Sequence, residues 1–130
     1  APYGDQILGS EGAGALCCSL IGDEVVECTL AIMLDRKHHV RVIHEIGRGG
    51  THCAPLEAAD VFRAVLLSGC PAVIVAHNHP STDLNPSPDD LAVTNRLKAA
   101  AQILGIEFLD HLIVGANSWR SIESGKEGTG

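Results

Sequence analysis

Aromatic side chains are nearly missing from this chain: only 3% of its 130 residues are Phe, Trp or Tyr. A core that cannot lean on rings has to be assembled from Ala, Val, Leu and Ile. Basic residues are scarce as well, 9 Lys and Arg against 16 Asp and Glu for a formal charge of −7, and no basic run exceeds Arg36-Lys37. A domain that grips phosphates by itself needs clustered cations, so this balance argues against direct nucleic-acid binding, although a metal or a partner would change the local field. The 5 cysteines contain no C-x-x-C pair. Cys17 and Cys18 are adjacent and the others stand alone, which excludes a zinc knuckle or a dithiol redox motif and suits reduced thiols in a cytoplasmic protein. Cys28 and Cys70 read as small core residues, and Cys53, beside His52, has no oriented base. No apolar stretch is long enough to span a bilayer, and no signal peptide opens the chain. An opening Ala in place of Met fits a piece of a longer protein.

What is there suits one compact domain: 45% apolar and 19% charged residues, without internal repeats. Residues 1–12 are polar and Gly-rich, GALCCSLIG (14–22) allows a short helix, and SGKEGTG (124–130) looks like a frayed tail. VVECTLAIML (25–34) and VRVIHEI (40–46) read as strands of a hairpin across the polar turn DRKHH. LEAADVFRAVLLSG places Leu56, Ala59, Val61, Phe62, Val65 and Leu66 mostly on one helical face, with Gly69 as the stop. PAVIVA (71–76) is a continuous apolar run, as for a strand buried on both faces. In SPDDLAVTNRLKAAAQILG, Ser87 suits the N-cap, Pro88 the first helical position and acids the first turn, with Gly105 ending the helix. IEFLDHLIVG (106–115) returns as a strand. The order β-β-α-β-α-β predicts an α/β fold: a single domain with a mixed β-sheet flanked by helices.

The chemistry gathers in HNHPSTDLNPSPDD (77–90). Side chains alternate along a strand, so His77 and His79 point the same way if the chain stays extended past Ala76, while Asn78 faces away and Pro80 ends the ladder. Two imidazoles at a strand's carboxyl end make half a site for a borderline metal such as zinc. Asp90, in the first turn of the next helix, offers a short carboxylate as the third ligand. Three protein ligands leave one position for solvent, the arrangement of catalytic rather than structural zinc. Taken singly, a solvated His pair and an ordinary capped helix start explain each half as well.

Together, His-x-His, seven residues, Ser, two residues, Asp resembles the metal signature of the JAMM/MPN+ (JAB) metalloproteases, in the RadC-like branch. The likeness extends over about residues 24–116, from LEAADVFRAVL before the signature to TNRLKAAAQILGIEFLDHLIVG after it. It divides the chain into an N-terminal segment (1–23), the RadC-like JAB/MPN domain (24–116) and a C-terminal tail (117–130). The loop reads STD where the branch usually has SGD. The helix-hairpin-helix segment that RadC-like proteins commonly carry upstream has no counterpart in these residues. The resemblance implies a JAB/MPN-like layered fold, similar to the cytidine-deaminase-like architecture. A deaminase zinc site itself would need His-x-Glu and Pro-Cys-x-x-Cys, which are lacking here.

It further implies one Zn2+ per chain held by His77, His79 and Asp90, with Ser87 donating to the oxyanion and an upstream glutamate acting as general base. ECTLAIMLDRKHHV resembles the segment that bears this acid, which favours Glu27. Glu24 is the competitor, on the opposite side of an extended strand, and Glu45 and Glu57 read as solvated. Asp110 and His111 are candidates to support a ligand imidazole from behind, or simply a pair entering a strand. His38 and His39 are expected exposed in a turn, His44 and His52 lack partners at ligand spacing, and Trp119 is expected to pack locally. The implied activity is hydrolysis of a peptide or isopeptide bond in a protein or peptide substrate. The other readings are a DNA-repair accessory of RadC type and a catalytically silent MPN scaffold, though every motif position is filled here. The acidic charge predicts no appreciable affinity for DNA. A binding titration across a salt series checks this, and tight binding that weakens steeply with salt would contradict it.

Overall fold

The computed structural model describes residues 2–48 and 56–130. Helix α1 spans Ser10–Ile21, followed by strands β1 (Cys28–Leu34) and β2 (Val40–Arg48), helix α2 (Ala58–Ser68), β3 (Ala72–Asn78), helix α3 (Pro88–Leu104), β4 (Glu107–Val114), β5 (Ser118–Ser121) and β6 (Glu127–Thr129). The six strands form one sheet in the order β2-β1-β3-β4-β5-β6. Only β3 and β4 run parallel, joined by α3 as crossover; the other neighbours are antiparallel. This is the mixed α/β sheet that the apolar runs imply.

Strand alternation sorts the core into two layers. Leu30, Ile32, Leu34, Ala72, Ile74, Ala76, Leu112 and Val114 pack with Ala13, Cys17, Cys18 and Ile21 of α1 on one face. Ala31, Met33, Val73 and Val75 pack with Val61, Phe62 and Val65 of α2 and Val93, Leu97 and Ala101 of α3 on the other. Because both faces of β3 are covered, all seven of its residues are buried, which is why its sequence shows no polar alternation. Helices α2 and α3 both stop at a glycine in the left-handed region, Gly69 and Gly105, each at φ 71°. Among the described residues no helix is long and apolar enough to cross a membrane.

Three differences from expectation have physical causes. Helix α1 starts at Ser10 rather than 14, since Ala13 and Gly14 are buried in its packing face. Strand β1 starts at Cys28 rather than 25, because its ladder with β3 ends at Thr29↔His77. Residues 124–130, expected to fray, include β6, which pairs Ser118, Trp119 and Arg120 of β5 with Thr129, Gly128 and Glu127. Trp119 explains the third: it is 2% exposed and wedged between α1 and β6. A Cβ at Gly14 would come within 2.3 Å of the indole, and one at Gly128 within 2.5 Å. Only glycines allow so close an approach from both sides.

Gly14→Ala is therefore expected to destabilise the fold by about 1–3 kcal/mol through overpacking. Gly12→Ala, two residues earlier in the same helix, meets nothing within 4 Å and should stabilise it by up to about 1 kcal/mol through helix propensity. Urea midpoints of the two variants should move in opposite directions, and a Gly14→Ala midpoint at or above wild type would refute the wedge.

Candidate metal centre

His77 lies in β3 and His79 just beyond its end, where the backbone N–H of His79 still donates to Val114 O on β4 at 2.9 Å. The chain thus stays extended long enough to put both rings on one side. Their Nε2 atoms are 3.0 Å apart. Asp90 meets them from the start of α3, with Oδ1 3.2 Å from His77 Nε2 and Oδ2 3.5 Å from His79 Nε2. The carboxylate of Glu27 joins the two histidines, with one ligand atom of each residue within 4.8 Å of the others. His77 is buried, His79 and Asp90 are half-buried, and Glu27 is exposed. The cluster has an open side.

Ser87 caps α3 reciprocally with Asp90. Its hydroxyl accepts the Asp90 N–H at 3.1 Å, while its own N–H donates to Asp90 Oδ2 at 2.8 Å. Two oxygens carry enough lone pairs for Asp90 to cap its helix and face both imidazoles. Burial opposes ionisation of Asp90, but hydrogen bonds from His77 and His79 and from the Ser87 N–H hold its carboxyl well below the usual range. The same Asp90 contact raises the pKa of His79, against partial desolvation.

The partners behind the rings fix their tautomers. Thr94, one turn beyond Asp90 on α3, donates its hydroxyl proton to Asp90 O at 2.8 Å. With that proton committed, Thr94 Oγ1 can only accept from His111 Nδ1, 2.6 Å away. His111 Nε2 is then bare and accepts from His77 Nδ1 at 2.8 Å. His77 Nε2 is left as a lone pair facing the cluster. On the other ring, His79 Nδ1 lies 2.6 Å from Asp83 O, an acceptor only, so in the neutral ring Nδ1 carries the proton and Nε2 is bare. Burial, reinforced by the repulsion a protonated His77 would exert, pushes the His111 pKa down to about 3 and keeps that ring neutral within the relay. With both rings neutral, two bare imidazole nitrogens and an ionised carboxylate converge; with a proton on Nε2, the same rings donate to Asp90. That donor set fits a borderline divalent cation such as zinc, with Glu27 adjacent.

Not every candidate arrives at the cluster. Asp110 lies on the α1 side of β4, where its carboxylate accepts from the Ser121 hydroxyl at 2.7 Å and from the His111 N–H at 2.8 Å. It ties β4 to β5 and meets no ligand imidazole. Glu24 is engaged by Arg48 at 3.0 and 3.4 Å, and Glu45 by the same guanidinium at 2.8 Å. Glu57 and His44 are exposed. His38 and His39, expected exposed, are half-buried beside Glu107 and Asp35. His52 and Cys53 lie outside the described residues. The sequence reading missed Thr94 altogether, although its spacing of four from Asp90 puts it on the same helical face. It also gave no role to Asn78, whose amide is engaged by the segment that carries Glu27.

A mixed sheet, a His-x-His strand end and a carboxylate at the following helix start define a protein of JAB type. Residues 7–128 match the family described as RadC-like JAB domain, and the chain belongs to that family. It is 41% identical over 91 residues to a UPF0758 protein of Chloroflexus aggregans, covering 70% of this chain and 40% of the relative. A UPF0758 protein of Carboxydothermus hydrogenoformans is 38% identical over 104 residues, 80% of this chain and 46% of that one. UPF0758 protein ABC2615 of Shouchella clausii is 42% identical over 94 residues, 72% and 41% respectively. The chain spans less than half the length of these relatives.

If Thr94 sets the tautomer of His77, Thr94→Val should weaken zinc binding by about 10–100-fold while Thr94→Ser keeps it. Competition with a chromophoric chelator measures this, and an unchanged affinity in Thr94→Val would break the relay.

Proposed function

We propose that this domain is a zinc-dependent hydrolase of peptide or isopeptide bonds, one Zn2+ per chain. His77 and His79 would hold the ion through Nε2, and Asp90 through a carboxylate oxygen. When bound, zinc would polarise a substrate carbonyl and lower the pKa of a water from 15.7 towards about 7. The reading rests above all on one observation: Nε2 of His77, Nε2 of His79 and the carboxylate oxygens of Asp90 converge within 3.5 Å.

The protein's own groups complete the chemistry. Glu27 is exposed beside both histidines, where its carboxylate can take a proton from the attacking water and return it to the leaving amine. It suits this role better than Glu24, whose carboxylate is held by Arg48. The Ser87 hydroxyl accepts an N–H from the helix and keeps its own proton for an oxygen on which negative charge grows. One such donor is typically worth about 3 kcal/mol in the transition state. Relay partners behind His77 and His79 hold both rings in place before substrate arrives. The substrate is an amide of a protein or peptide, reached from the open side. Thiols outside disulfides at Cys17, Cys18 and Cys70 suit a cytoplasmic setting.

The test pairs metal content with turnover. Wild type and Glu27→Ala should both carry close to one zinc per chain, and only wild type should cleave members of a panel of peptide and isopeptide substrates, with the variant slower by about 10²–10⁴-fold. His77→Ala should lose the metal. Zinc retained in His77→Ala would overturn the ligand set, and full activity in Glu27→Ala would move the base elsewhere. Zinc bound without hydrolysis across the panel would favour a silent scaffold or an accessory of RadC type in DNA repair.

A further inference from the structure

The residue between the two histidines points the other way, and what it holds is the segment bearing Glu27. Alternation along β3 puts Asn78 on the face opposite His77, where it is fully buried. Its side-chain oxygen accepts the Cys28 N–H at 2.5 Å. Its amide nitrogen donates to Val26 O at 2.9 Å and to Glu24 O at 3.3 Å. Every polar capacity of the amide except one lone pair is thus spent on residues 24–28.

The location is not arbitrary. The antiparallel ladder between β1 and β3 ends at Thr29↔His77, and the next pair, Cys28 and Asn78, would continue it backbone to backbone. Instead the Asn78 side chain takes the Cys28 N–H, while on its other edge β3 continues beside β4 as far as Asn78↔Val114. The chain before Cys28 is therefore released from the strand direction yet still anchored at three backbone groups. Glu27 sits between two of those anchors, Val26 O and Cys28 N. From the outer side Arg48 of β2 pins Glu24 at 3.0 Å and Glu45 at 2.8 Å. An exposed carboxylate on a loop would sample many positions; this one belongs to a segment gripped on both sides of its own Cα.

We propose that Asn78 is a positioning residue that holds the Glu27 carboxylate against His77 and His79, by clamping the backbone of residues 24–28. This rests on the reading of Glu27 as the general base, but the clamp can be judged without it. The Asn78 side chain bonds Cys28 N–H, Val26 O and Glu24 O rather than the donor atoms of the site, and acts through Glu27. It separates two tasks along three consecutive residues: His77 and His79 supply nitrogen donors on one face, and Asn78 sets the acid on the other.

The experiment uses amide exchange and carboxyl ¹³C resonances of the full chain, with Zn2+ itself as probe. In wild type the Cys28 amide should be protected, and adding Zn2+ should shift the Glu27 carboxyl resonance together with the ring signals of His77 and His79. In Asn78→Ala, and in Asn78→Ser as the milder variant, exchange at residues 26–28 should speed up at least tenfold. The Glu27 response to zinc should shrink in both, while the histidine responses and zinc affinity stay within about threefold. On whichever amide the wild type cleaves, Asn78→Ala should lower kcat at least tenfold with little change in KM, and should add nothing in a Glu27→Ala background. An unprotected Cys28 amide in wild type overturns the clamp before any variant is made. A Glu27 response that survives in either folded variant overturns the positioning role, as would an additive loss in the double variant. If wild type binds zinc but cleaves nothing, the proposed hydrolase falls while the exchange and resonance results still decide on Asn78.

Discussion

Three groups that are all electron-rich when both rings are neutral, forced together at one strand end, are the constraint on which this structure turns. The two Nε2 atoms at 3.0 Å and the carboxylate at 3.2 and 3.5 Å would push apart in isolation. They stay because each is held from behind, His77 by His111, His79 by the Asp83 carbonyl, Asp90 by its own helix cap. A cation bound there would relieve the conflict, and a proton on His79 does so in part, in keeping with its raised pKa beside Asp90. Folding and metal affinity would then be linked, since the free energy of binding an ion is released only by a chain that has already brought the donors together.

The fold puts this conflict where backbone geometry changes. The carboxyl end of β3 is parallel-paired on one edge and loses its antiparallel partner on the other, the kind of strand end at which open α/β sheets generally place their ligands. Helix α3 starts beside that strand end, and its first turn supplies both the capping serine and the carboxylate. Economy of this kind has a structural reason. A capping box already fixes the side chain at its third position, so a ligand placed there loses little further conformational entropy when it meets a metal.

Much of this could be read from the residues, for reasons that can be named. The apolar run of β3 and the Ser87–Pro88–Asp90 start of α3 are dictated locally, by burial on two faces and by capping chemistry, and both elements formed as expected. The His-x-His alternation needed only that β3 stay extended, which it does. What stayed open or escaped was set by register between distant segments. His111 meets His77 because β4 lies parallel to β3 with Val75 opposite His111, and Asp110 misses the cluster because neighbouring residues on a strand face opposite ways. Thr94 and Asn78 were overlooked as plain polar residues, since nothing in their own neighbourhood reveals a partner on another element. The C-terminal strands went unseen because SWRS and EGT are too short to show a period.

The lone indole of Trp119 is gripped by a glycine of the first helix and a glycine of the last strand. Its seat therefore cannot exist until the two extremities of the domain have met. Contacts between such remote stretches are costly to close early in folding, so this ring should settle among the last events, after the central strands that carry the histidines. Its emission then reports on completion of the domain's outer seam rather than on the condition of the histidine cluster.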